Sequence, residues 1–115
     1  MQYMLMIYSN EAGMATATQE DIGQMIAAYN SYTEALKKSG AWVAGDRLRP
    51  TSAATTVRIA NGKTEVLNGP YADTKEQLGG YYLIESPDLD AALTWAARCP
   101  GASFGAIEVR PIFAM

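Results

Sequence analysis

Residues Tyr3 to Tyr8, near the start of the chain, are apolar at every position, and no other stretch limits the fold as tightly. Six residues are too few for a membrane span or a signal-peptide core, and no basic residue precedes them, so the run reads as a β-strand. Side chains alternate along a strand: Tyr3, Leu5 and Ile7 point one way and Met4, Met6 and Tyr8 the other. Both sets are apolar. A sheet built around this strand therefore needs cover on each of its faces.

The remaining patterns predict how much cover the chain supplies. Asn10 to Ala17 is rich in small residues and reads as a loop. Ile22, Met25, Ile26, Tyr29, Tyr32, Thr33 and Leu36 then recur at helical steps, with Thr18 and Asp21 as a cap, Lys37 and Lys38 at the negative end of the dipole, and Gly40 as the stop. Ala41 to Leu48 predicts a strand that runs into Arg49-Pro50. Thr55 to Ile59 and Thr64 to Leu67 flank Asn61-Gly62, a strong hairpin signal. A loop over 68–74, a helical turn over 75–78 and a strand from Tyr81 to Glu85 follow. Ser86-Pro87-Asp88 opens a second helix with Pro87 in its first turn and Leu89, Ala92, Leu93, Ala96 and Ala97 on its buried side. Phe104 to Arg110 is the last predicted strand.

Without the hairpin the order is β-α-β-β-α-β, an α+β arrangement of the split-βαβ, ferredoxin-like kind, with two helices on one face of a four-stranded antiparallel sheet. Those helices leave the second apolar face open. Pairing of two identical sheets about a two-fold axis would close it, so the expectation is a homodimer. The alternative cover, the hairpin together with the tail Ile112 to Met115, is short. A chain of 115 residues fits one domain over 1–115 and buries roughly two-thirds of its unfolded surface.

The charge pattern and the residue inventory narrow the function. A net charge of −3 with interspersed signs offers no basic face for nucleic acid, so neither that partner nor a membrane is expected. One cysteine, Cys99, cannot form an internal disulfide, and the default compartment is the reducing cytoplasm. The chain contains no histidine, which removes Ser-His-Asp and Cys-His catalysis and the usual metal-ligand clusters; no cofactor and no metal are expected. Phosphate-cradling glycine motifs and C-x-x-C are likewise missing from the sequence. Acid–base chemistry would fall to carboxylates, Lys75 or tyrosines.

Strand alternation nominates polar residues for the inter-sheet space. Glu108 and Arg110 share a face of the last strand, opposite Ile107 and Val109. Asp46 follows Trp42 and Ala44 on the second strand, and Arg58 lies on the hairpin. Charges directed into an enclosed space must be paired, hydrated or bound to a ligand. Gly69-Pro70 is a turn, and the loop it begins can set Asp73, Lys75 and Glu76 at the mouth of a cleft beside the strand Tyr81 to Glu85, with Tyr71 and Tyr82 near the bound molecule. Asp46, Arg58, Tyr71, Asp73, Lys75, Tyr82, Glu108 and Arg110 are thus candidates for a site taking a small polar or anionic molecule, with an intramolecular ion pair of Arg110 with Glu108 or Asp46 as the structural counter-reading.

The run from Asn68-Gly69-Pro70-Tyr71-Ala72-Asp73-Thr74 through Lys75-Glu76-Gln77-Leu78-Gly79-Gly80 to Tyr81-Tyr82-Leu83-Ile84 resembles the DGPF signature of the YCII-related family, and both ends of the chain resemble that family too. The resemblance implies a dimeric α+β barrel and little about activity, because the family is largely uncharacterised. Two departures stand out. Asn68 occupies a position that usually holds Asp, so it offers an amide in place of a carboxylate. The His-Asp pair of a related branch, and the proximal His of haem-binding relatives, have no counterpart in a chain without histidine. Three functions stay in view: a small-molecule binder; an enzyme using Asp46, Asp73 or Glu108 with tyrosine hydroxyls; and a non-catalytic regulatory or self-association domain.

Overall fold

The computed structural model describes residues 1–114. The chain runs β1 (Gln2–Ser9), α1 (Glu11–Ala15), α2 (Gln19–Ser39), β2 (Trp42–Arg47), β3 (Thr55–Ala60), β4 (Lys63–Asn68), β5 (Gln77–Glu85), α3 (Leu89–Arg98) and β6 (Ala106–Pro111). Short 3-10 turns occupy Thr51–Ala53 and Pro100–Ser103. It is a mixed α+β fold. Four strands form one sheet in the order β2-β5-β1-β6, every neighbour antiparallel, and β3 and β4 form a separate hairpin.

Local chemistry explains the element ends. The Thr18 hydroxyl accepts the Asp21 N–H at 3.1 Å while the Asp21 carboxylate accepts the Thr18 N–H at 3.2 Å, a reciprocal capping box at the start of α2. Gly40 closes the helix in the left-handed region. Asn61 and Gly62 have φ of 53° and 74°, the positive pair that a tight two-residue hairpin turn requires. Gly69, at φ 132°, likewise sits where a β-branched side chain is disfavoured.

Several sequence expectations need correction. The small-residue segment after β1 contains helix α1, because the Asn10 side chain accepts the Ala12 N–H at 2.9 Å and starts a turn. The helical turn expected over 75–78 is absent; pairing of Gln77 with Ser9 and Leu78 with Tyr8 extends β5 instead. Asp88 caps α3 at Ala91 N–H, 2.8 Å, so Pro87 lies outside the helix. Of its expected buried side only Ala92 and Ala96 are buried, while Leu89 and Leu93 are 47% and 45% exposed and Ala97 is exposed. The helix turns its small residues inward because Tyr32 fills the space beside it, ring edge against Trp95 and hydroxyl donating to the Trp95 carbonyl at 2.7 Å.

The core lies between the helices and one face of the sheet, where Leu5, Leu36 and Ile84 are fully buried beside Tyr3, Tyr32 and Tyr82. A bulge between Trp42 and Ala44 corrects the predicted alternation on β2: Trp42 pairs with Ile84 and packs on the core, whereas Ala44 and Asp46 pair with Leu83 and Tyr81 on the opposite face. That opposite face carries Met4, Met6, Tyr8 and Leu83, half-buried, along its middle. Neither the hairpin nor the tail covers it among the described residues: Val57, Ile59 and Val66 are 61%, 72% and 61% exposed and Phe113 is 90% exposed, while Met115 lies outside the described residues. No described helix is long and apolar enough to cross a membrane.

Candidate functional site

Two glycines that border a cleft let neighbouring groups pack closely against the sheet. Gly45 lies opposite Tyr82 on the helix-facing side, and a Cβ there would stand 2.8 Å from the Tyr82 ring. Gly80 lies opposite both Ile7 and Arg47 and adds no side chain of its own. Above this stretch of sheet, and below the first half of α2, is a space of about 790 Å³. Ile22, Met25, Ile26, Tyr29 and Thr33 of α2 form one side, Met14 and Ala15 of α1 another, and Trp42 and Tyr82 the inner end. Arg47, Arg49 and Pro50 stand at the mouth.

Aromatic contacts and hydrogen bonds fix the inner end. Tyr82 meets Trp42 and Tyr32 edge-on, with centroids 6.0 and 5.2 Å apart, and lies nearly parallel to Tyr29 at 6.5 Å. Its hydroxyl shares a 3.0 Å hydrogen bond with Thr33. Burial raises the Tyr29, Tyr32 and Tyr82 hydroxyls above the ordinary phenol range, so they remain neutral hydrogen-bonding groups at physiological pH. Cys99, 2% exposed and packed in the core cluster, is also raised by burial, which disfavours the thiolate.

Electrostatically the mouth is the informative part. The ion pairs among the described residues join the Met1 amino group to Glu85 and Arg110 to Glu108, and neither engages Arg47 or Arg49. Two exposed guanidiniums thus flank an apolar, aromatic interior. No group of His, Cys, Asp and Glu suited to a metal ion occurs among the described residues.

The eight candidates from the sequence are spread over four places. Tyr82 forms part of the cleft wall. Asp46 borders the cleft, yet alternation sends its side chain to the uncovered face, where it accepts the Tyr81 hydroxyl at 2.8 Å; this hydrogen bond raises the Tyr81 hydroxyl. Glu108 and Arg110 are on that same face at the far edge, paired at 2.9 Å with side chains 44% and 72% exposed. Arg58 lies over the Tyr71 ring at 5.7 Å, both outside the cleft, and Asp73 and Lys75 are exposed in the loop before β5. The structure therefore does not bring the eight together.

Sequence reasoning missed Arg47, Arg49, Tyr29 and Thr33 as site residues. Two signals were present. Arg47 and Arg49 are two apart in extended chain, which puts both on one side. The apolar stripe of α2 is also longer than the core needs: only Tyr32 and Leu36 are buried by it, and Ile22, Met25, Ile26, Tyr29 and Thr33 overlook the cleft.

Comparison with known proteins agrees with this architecture. The chain is 36% identical over 114 residues to an uncharacterized protein of Rhizobium meliloti, covering 97% of this chain and 92% of that protein. In fold it resembles the 5-chloro-2-hydroxyhydroquinone dehydrochlorinase of Burkholderia phenoliruptrix, solved in complex with 2,5-dihydroxybenzoquinone, with a TM-score of 0.57 and 16% identity over 100% of this chain and 96% of that one. The model of the YCII-related domain matches residues 1–115, and the chain belongs to the YCII-related family.

Proposed function

We propose that this protein binds a small, flat organic molecule bearing an anionic group in the cleft between α2 and the β2–β5 part of the sheet. The observation that carries the reading is the combination of an aromatic interior of about 790 Å³ with two guanidiniums at its mouth that no described carboxylate engages. Rings of Tyr29, Tyr82 and Trp42 favour a flat partner, and Arg47 or Arg49 grips its carboxylate or phenolate. Benzoate, salicylate, naphthoate and 2,5-dihydroxybenzoquinone form a suitable panel for calorimetry. Arg47→Gln combined with Arg49→Gln should weaken an anionic member at least about tenfold, the weight of one charge-assisted hydrogen bond. No binding by any member at millimolar concentration, or equal loss on Arg110→Gln, would refute the reading.

The same proposal includes the surroundings of the site. The β2-β5-β1-β6 order supports a ferredoxin-like topology, and the Asn68 to Ile84 motif supports the DGPF branch. The uncovered face has an apolar middle of Met4, Met6 and Leu83 between the Asp46–Tyr81 and Glu108–Arg110 pairs, the layout of a homodimer interface, and two such faces close the dimeric α+β barrel. Light scattering should give twice the chain mass, and Leu83→Asp should halve it. The working compartment is the cytoplasm, in keeping with the lone cysteine.

An enzymatic reading rests on one geometric fact. Of Asp46, Asp73 and Glu108, only Asp46 holds a tyrosine hydroxyl, that of Tyr81 at 2.8 Å, and this pair lies on the uncovered face, so the substrate of this reading would lie between paired sheets and not in the cleft. Asp46 would serve as the base and Tyr81 would orient the substrate across the dimer interface. Turnover of a chlorinated hydroquinone, followed by mass spectrometry and lost in Asp46→Asn, is the result that would favour this reading over simple binding.

A further inference from the structure

Helix α1 forms one side of the cleft, yet none of its five residues is buried. A single turn of helix without a buried face has little intrinsic stability. What ties it down converges on Glu11. One carboxylate oxygen accepts the Thr51 N–H at 2.8 Å and the other accepts the Thr51 hydroxyl at 2.7 Å, while the Glu11 N–H donates to the Gln77 side chain at 2.9 Å. Gln77 in turn donates to the Thr74 carbonyl at 2.6 Å. Thr51 directly follows Arg49-Pro50, so the carboxylate spans from the α1 side of the cleft to the segment that carries the arginines.

We propose that Glu11 is a positioning residue of the cleft: its two-pronged hold on Thr51 latches α1 shut, and a bound aromatic anion leaves only when that latch opens. The proposal rests on the binding reading given above. Both acceptor oxygens are used on one residue's two donors, so the latch closes or opens as a unit. It contributes nothing to the core. Breaking it should therefore change the rate of exchange at the cleft mouth while β5 and the buried end of α2 stay as they are.

The test uses the full chain, hydrogen exchange read by mass spectrometry, and 1-anilinonaphthalene-8-sulfonate as a fluorescent aromatic anion in stopped flow. In Glu11→Ala and in Thr51→Val, amides of 12–15 and 51–54 should exchange faster and the probe should dissociate about tenfold faster, the weight of one charge-assisted hydrogen bond. Thr51→Ser keeps both donors and should restore wild-type rates. Unchanged exchange in Glu11→Ala, or faster exchange with an unchanged dissociation rate, would overturn the latch while leaving the cleft as a binding site. Failure of the wild-type protein to bind the probe at all would overturn the binding reading and gating with it, a result distinct from the first two.

Discussion

Leu83 and Ile84 are neighbours on β5 and inhabit different surroundings. Ile84 is fully buried under the helices, with Tyr82 two residues before it and Leu5 and Leu36 in the same cluster. Leu83 faces the other way, half-buried among Met4 and Ala44 with nothing from the described chain above it. One peptide bond separates a finished core from a surface that has the composition of one. The difference teaches that the sheet's two faces are stabilised by different means: one by this chain's helices, the other, on the reading proposed above, by a second copy.

Truncation measures that difference most strongly. Ile84→Ala should cost roughly 2–5 kcal/mol, as large-to-small changes at full burial do, and Leu83→Ala clearly less at concentrations where the protein is monomeric. Urea titrations at several protein concentrations check both. If the Leu83 cost grows with concentration, a partner covers the second face; if the two costs match in a monomer, the contrast between the faces is wrong.

Alkaline pH should sharpen the contrast further. Burial raises Tyr29, Tyr32 and Tyr82, all on the helix side, so the folded chain keeps protons that the unfolded chain loses near pH 10. The stability linked to these groups is fully present below about pH 10 and is lost as pH rises through the folded values. Urea midpoints should fall over that range, with the 295 nm phenolate absorbance of the buried rings arriving together with unfolding. Ionisation of all the tyrosines before unfolding would mean that water reaches the helix face.

The smallest effect belongs to the uncovered face. Arg110 and Glu108 form an exposed pair, so Arg110→Gln should alter stability by no more than about 1 kcal/mol in the monomer. A greater loss, measured by thermal melts, would show that the pair is enclosed by a partner, where an orphaned carboxylate is costly.

Much of the architecture is legible in the sequence because local rules and tertiary packing agree there. Thr18, Asp21 and Gly40 delimit α2, Asn61-Gly62 turns the hairpin, and the apolar run of β1 places it inside a sheet. The site was less legible, for physical reasons. One bulged residue on β2 reverses the alternation that relates Trp42 to Asp46, and no pattern of residue types announces it. The cleft is walled mostly by apolar side chains of α2 and aromatic rings, with Gly45 admitting the Tyr82 ring close to β2, and a search for reactive groups passes over such a wall. Glu11 becomes meaningful only beside Thr51, forty residues away in the chain.

The hairpin has a further consequence for how the molecule comes apart. Strands β3 and β4 pair with each other alone, every residue of β4 is exposed, and an isolated two-stranded ribbon is marginal in water. Its ladder can thus melt as a separate foldon, at the cost of its own bonds, while β5, bonded on both flanks to β1 and β2, opens only with the whole sheet. A protease would find its first cut between Ala60 and Lys63, and the nicked chain would keep its sheet, its helices and its cleft.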